Sequence, residues 1–192
     1  KYRSIIMECA AEQSEEWMNK YLEGEILDEK DLREGIRQAI AEKAIYPVFC
    51  GAMIRNMGGP QLLEELAGYF PAPSDQKNVG KDPKEEKIQR KFSDPFSAFV
   101  FKTTADPFVG KLSYVKVLSG SLRSDQGIYN SSKEKPEKIG GLFTLRGKVQ
   151  EPLSIIHSGD IGVIAKLQET NTGDTLAAKE SPIIYPPMEY IK

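Results

Sequence analysis

The sequence predicts an α+β chain in two parts, helical and partly α/β over residues 1–73 and all-β over residues 93–192, joined by a charged linker at 74–92. Three observations predict it. Apolar residues up to about Ala44 recur at the i, i+3, i+4 spacing of helices with one buried stripe. From Phe92 onward they fall into short runs punctuated by Gly, Ser, Asn and Asp, the signature of a sandwich or closed barrel. Between the two, Asp75 to Lys91 holds only Val79 and Ile88 as large aliphatic side chains, too little apolar area to offset the entropy of ordering. A length of 192 residues with 40% apolar content suits two small cores, since domains usually run to about 100–150 residues.

The helices come first. Tyr2, Ile5, Ile6, Cys9 and Ala10 make one amphipathic stripe. Ser14, followed by Glu15 and Glu16, reads as an N-cap with acidic residues placed favourably against the helix dipole, and Trp17, Met18, Tyr21 and Leu22 continue the face until Gly24. Asp28 caps a third helix through Leu32, Ile36, Ala39 and Ile40 to about Ala44. The period then changes: Tyr46-Pro47-Val48-Phe49-Cys50 closed by Gly51 predicts a buried strand, and Leu62, Leu63, Leu66 and Phe70 predict a helix stopped by Pro71-Ala72-Pro73. The predicted strands are Phe96 to Lys102, Lys111 to Leu118, Gly127 to Asn130, Lys138 to Phe143, Leu153 to Ile156 and Ile161 to Leu167.

Charge narrows the function without fixing it. Residues 1–75 hold 8 basic and 14 acidic side chains, residues 76–92 hold 6 and 3, and residues 93–192 hold 12 and 11, so only a local patch of the β part could meet nucleic acid. No apolar stretch approaches the roughly 20 residues of a membrane span, and the first residues lack a signal-peptide core, which points to the cytoplasm. Cys9 and Cys50 lie in apolar contexts that suit buried free thiols, and with the single His157 they do not make the spacing of a zinc site. His157, just ahead of a turn, has no identifiable nucleophile or orienting partner. Gly110, Gly120, Gly159 and Gly173 sit at strand ends where positive φ is expected, and Asp160 and Asp174 read as turn residues.

Read in order, Phe101-Lys102, Asp106-Pro107-Phe108-Val109-Gly110-Lys111-Leu112, Ser119-Gly120, Tyr129-Asn130, Gly159-Asp160-Ile161 and Thr172-Gly173-Asp174-Thr175-Leu176 resemble the second-domain β-barrel of bacterial translation elongation factor G. Glu8 to Leu22, then Pro47 to Gly51, Asn56-x-Gly58, Leu62-Leu63 and Tyr69-Phe70-Pro71-x-Pro73 resemble the end of that factor's P-loop GTPase domain with part of its inserted helical subdomain. The resemblance implies a fragment of a ribosome-associated translational GTPase. Its parent would bind GTP and Mg2+ and use hydrolysis to drive translocation or ribosome recycling, and the barrel would dock on small-subunit rRNA.

The family's usual Gly-Ser-Ala guanine motif is replaced by Gly51-Ala52-Met53, Asp125-Gln126 occupies a turn that usually holds Gly-Asp, and Lys166 stands where the family usually has Gly, marks of a diverged paralogue. No GxxxxGK[ST] phosphate loop and no Asn-Lys-x-Asp occur, and the family places both ahead of Lys1, so this stretch alone is expected to hold no catalytic residue, metal ligand or cofactor of its own. The resemblance makes Gly51, Ala52 and Met53 guanine-contact candidates and favours Lys102, Lys111, Tyr114, Lys116 and Arg123 as an rRNA-facing patch over an ordinary solvated strand face. Two alternatives remain: a non-enzymatic ribosome- or RNA-binding module, and a ribosomal protection factor of the tetracycline-resistance type, against which the Asp106 to Gly110 phrase argues.

Overall fold

The computed structural model describes residues 2–147 and 149–188. Its contacts divide into two units, Lys1–Ala72 and Pro73–Lys192.

The first unit begins with α1 (Tyr2–Ala11), α2 (Glu15–Leu22) and α3 (Glu29–Ala41). Ala10, Ala11 and Leu27 form its buried centre, with Trp17, Tyr21, Leu32 and Ile36 packed around them. The crossing of α1 and α3 depends on Gly35: a Cβ there would lie 2.7 Å from the Ala10 carbonyl oxygen, so only glycine lets the helices approach this closely. Asp28 caps α3 as expected, its side chain accepting from the Asp31 amide at 2.7 Å. Ser14 occupies the N-cap position of α2 in extended conformation but makes no side-chain cap bond. The third helix stops at Ala41, short of Ala44, because Lys43 turns left-handed (φ 62) and the Ala44 amide folds back onto the Ala39 carbonyl.

The predicted strand Tyr46 to Cys50 does not form. Tyr46 and Val48 are 79% and 88% exposed, and Cys50 is exposed as well, against the expectation of a buried thiol. A short apolar run becomes a buried strand only beside a partner ladder, and among the described residues this unit has only the isolated Ala52–Met57 bridge. Beyond it, α4 (Gly59–Tyr69) forms as expected, but Leu63, Leu66 and Phe70 on its apolar side are exposed.

Among the described residues the second unit is all-β apart from one short 3-10 turn at Pro73–Asp75. In chain order its strands are β1 (Asn78–Lys81), β2 (Lys87–Arg90), β3 (Ser97–Asp106), β4 (Gly110–Ser119), β5 (Ser121–Arg123), β6 (Gly127–Asn130), β7 (Lys135–Lys138), β8 (Gly141–Arg146), β9 (Val149–Pro152), β10 (Ile155–His157), β11 (Ile161–Ala165) and β12 (Thr175–Ala177). An antiparallel eight-stranded sheet runs β7-β6-β12-β3-β4-β11-β8-β9, and β5 and β10 pair as a separate ribbon. One interior serves both: Ala98, Val100, Val115, Val117, Ile128, Leu142, Ile164 and Leu176 meet Leu122 and Ile156 of the ribbon in a single buried cluster, the inward half of each strand's alternation. A Cβ at Gly162 would fall 1.9 Å from Ile156 Cδ1, so a larger residue there would displace that buried side chain. Both edge strands of the large sheet contain a proline, Pro136 in β7 and Pro152 at the end of β9, where a missing ladder donor is tolerated.

The charged segment 74–92 is not a free linker. It contains the antiparallel β1–β2 hairpin, and Lys81 exchanges backbone bonds with Ile184 at 2.8 Å in each direction. Asn78 Nδ2 donates to the Leu118 carbonyl at 3.0 Å, Arg90 Nη2 donates to the Ser181 carbonyl and hydroxyl at 2.9 and 2.7 Å, and Ile88 packs against Ala177, Ile183 and Tyr185. What orders the hairpin is a set of partners as many as 91 positions away, which its own composition does not contain.

Candidate nucleic-acid interface

Along β4 the residues alternate: Ser113, Val115, Val117 and Ser119 are buried, while Tyr114, Lys116 and Leu118 are partly exposed on the opposite face. Across from them, Phe99 pairs with Lys116 and Lys102 pairs with Tyr114, so an extra residue, Phe101, is accommodated between Val100 and Lys102 as a bulge. The bulge decides the site. It resets the alternation so that Lys102 joins the outer face, where its Nζ sits 5.5 Å above the Tyr114 ring while Phe101 packs tilted against that ring at 6.3 Å. On the other side, β11 sets Ile161 opposite Lys116 and Val163 opposite Tyr114.

Of the expected RNA-facing residues, Lys102, Tyr114 and Lys116 therefore converge on one outer face. Lys111 lies at the far end of β4, paired with Ala105, and its Nζ donates to Asn171 Oδ1 at 3.1 Å. Arg123 stands apart on the β5–β10 ribbon, opposite Ile155 and 3.5 Å from the Asp125 carboxylate, so it does not share the surface of the other three. Beside that surface runs a groove of ≈ 440 Å³, lined among others by Phe99, Phe101, Lys77 and Ile161. Sequence reasoning missed Phe99, Phe101 and Lys77 as surface groups; apolar residues on both parities of Phe96 to Phe101 were the available signal.

The loops around the barrel are held by internal carboxylates. Glu137, 8% exposed, accepts the amides of Gln168, Glu169 and Thr170 and the Thr170 hydroxyl. Asp174 accepts from the Asn171 amide at 2.8 Å and from Asn130 Nδ2 at 2.9 Å, so it is a turn residue tied into a buried network. Gly110, Gly120, Gly159 and Gly173 all have positive φ. Lys166, in the position where the elongation factor G pattern has glycine, also adopts a left-handed conformation at φ 62.

The guanine-contact candidates form a separate, exposed loop in the first unit. Ala52 exchanges backbone bonds with Met57, donating at 2.9 Å and accepting at 3.1 Å, and Asn56 and Gly58 are both left-handed. The central amide of the Gly51-Ala52-Met53 motif is thus already engaged within the loop. A guanine base would have to be met by the flanking amides of Gly51 and Met53, so the motif fits such a base only in part.

No helix among the described residues is long and apolar enough to cross a membrane. Residues 95–179 match the sequence profile of elongation factor G domain 2. A solved crystal structure of a Thermus thermophilus protein shares the fold, with a TM-score of 0.71 over 94% of this chain at 24% identity, and this chain spans 25% of the length of that one. The motif order and this match make residues 95–179 similar to elongation factor G domain 2, and a helical unit precedes them in the chain.

Proposed function

We propose that this chain belongs to a ribosome-associated translational GTPase of the elongation factor G kind and contributes the barrel's contact with small-subunit rRNA. The observation that carries the reading is the placement of Lys102, Tyr114 and Lys116 on one outer face of a barrel matching elongation factor G domain 2. Two ammonium groups beside an aromatic ring offer charge to backbone phosphates and a flat surface to a sugar or base. GTP and Mg2+ would be held by a phosphate loop outside this sequence, and Gly51 and Met53 would supply backbone donors to the guanine base. Hydrolysis would then drive translocation or ribosome recycling in the cytoplasm, with the barrel relaying the nucleotide state to the small subunit.

The test is association of the protein with small ribosomal subunits across a salt series, comparing wild type with Lys102→Ala/Lys116→Ala. Each lost phosphate contact should lower the log–log salt slope by roughly 0.7–0.9. An unchanged slope and affinity with an intact melting temperature would overturn the assignment.

A further inference from the structure

The groove beside the outer β3–β4 face has a composition that selects its occupant. Phe99, Phe101, Ile161 and Met188 are among its apolar lining, while Lys77 and Lys116 contribute the charge. None of its lining residues carries a carboxylate, so nothing within it neutralises the two ammonium groups. Phe99 alternates outward with the strand, and the bulge at Phe101 adds a second ring along the same groove.

On the reading of this face as RNA-facing, we infer that the groove takes unpaired, single-stranded RNA, with bases stacked on Phe99 and Phe101 and phosphates near Lys77 and Lys116. An apolar floor alone would accept many partners; the lysines without carboxylates select an anion, and aromatic rings favour one with planar apolar faces. A double helix keeps its bases stacked inside and presents only backbone and groove edges, which leaves the rings unused. An acidic peptide would satisfy the lysines but has no π-face to offer. A sheet that stacks splayed-out bases on strand aromatics is an established physical solution to this recognition problem.

Fluorescence anisotropy of a short labelled oligouridylate, titrated with this chain, tests the inference. Phe101→Leu keeps the apolar volume and removes the ring, and affinity should fall roughly 5- to 100-fold; Phe101→Tyr, which keeps the ring, should bind as wild type. Lys77→Ala/Lys116→Ala should weaken binding and lower the salt slope by roughly 0.7 per lost contact. Absence of oligouridylate binding, equal affinity for an RNA duplex of the same length, displacement by poly-glutamate at equal concentration, or an unaffected Phe101→Leu would each overturn it. Ribosome association reads the surface and oligouridylate affinity reads the groove, so a Lys102-dependent ribosome interaction alongside a failed oligouridylate assay removes the groove assignment alone.

Discussion

Replacing Glu137 with alanine should destabilise the barrel by about 3 kcal/mol, although the residue belongs to a polar edge strand, Lys-Pro-Glu-Lys, and touches neither expected site. Its carboxylate accepts from the amides of Gln168, Glu169 and Thr170 at 3.1, 2.9 and 2.8 Å and from the Thr170 hydroxyl at 2.7 Å. Gln168 and Glu169 are exposed, so water can take over their amides and each lost bond there costs about 0.5–1 kcal/mol. Thr170 is fully buried and water cannot reach it without opening the loop; its orphaned amide adds about 1–3 kcal/mol. Glu137→Gln keeps one acceptor oxygen for the Glu169 and Thr170 donors but can turn an amide NH2 towards the Gln168 amide, and should cost about 1–2 kcal/mol. Urea denaturation followed by far-UV circular dichroism measures the difference. Trp17 fluorescence follows the helical unit separately, because that unit holds the single tryptophan. Glu151→Ala, which removes an exposed ion pair with Arg146, is the control and should stay within about 0.5 kcal/mol. If Glu137→Ala behaves like that control, the carboxylate does not hold the 168–170 loop and the reasoning fails.

Three further outcomes follow from other parts of the fold. Gly120→Ala should lose about 2–4 kcal/mol by thermal or urea denaturation, because φ is +64 and the added Cβ would lie 2.8 Å from both the Asp94 carbonyl and the Phe96 amide nitrogen. Burial raises the Tyr185 phenol above its ordinary pKa, against the hydrogen bond it shares with the Ser97 hydroxyl. A raised folded-state pKa means that stability is intact below the unfolded tyrosine value, near pH 10, and is lost as pH rises from there through the folded value. Tyr185→Phe should therefore flatten the alkaline side of the stability profile, and an identical decline in both proteins would remove the assignment. Brief trypsin digestion should cut at Lys43 or Arg55, in the exposed segment after α3, before Lys81, Lys87 or Arg90 of the ordered hairpin; mass spectrometry showing first cleavage at the hairpin would contradict its packing.

What the sequence by itself determined were features whose cause is local. The helical stripes and the Asp28 cap are set by spacing within a turn or two. The positive φ at Gly110, Gly120, Gly159 and Gly173 is set by what a left-handed backbone tolerates, and the main barrel strands by alternation against their own neighbours. The motif order that points to elongation factor G domain 2 is legible for the same reason, since most of its phrases are a strand end with its turn, although Phe101-Lys102 lies within β3.

Only the tertiary structure decided features whose partners are remote. Residues 74–92 look too polar to order, and are ordered by Leu118, Ser181 and Ile184. Tyr46 to Cys50 looks buried, and is exposed because no strand among the described residues stands beside it. The basic patch shows the limit most sharply. Lys102, Lys111, Lys116 and Arg123 are equivalent as charges in a β-rich sequence, yet one bulge turns Lys102 onto the face of Tyr114 and Lys116, while Asn171 holds Lys111 and Asp125 attends Arg123 elsewhere. Alternation along a strand can be read from neighbours two positions apart; a bulge that shifts it by one, and the strand that lies opposite, are settled only when the sheet closes.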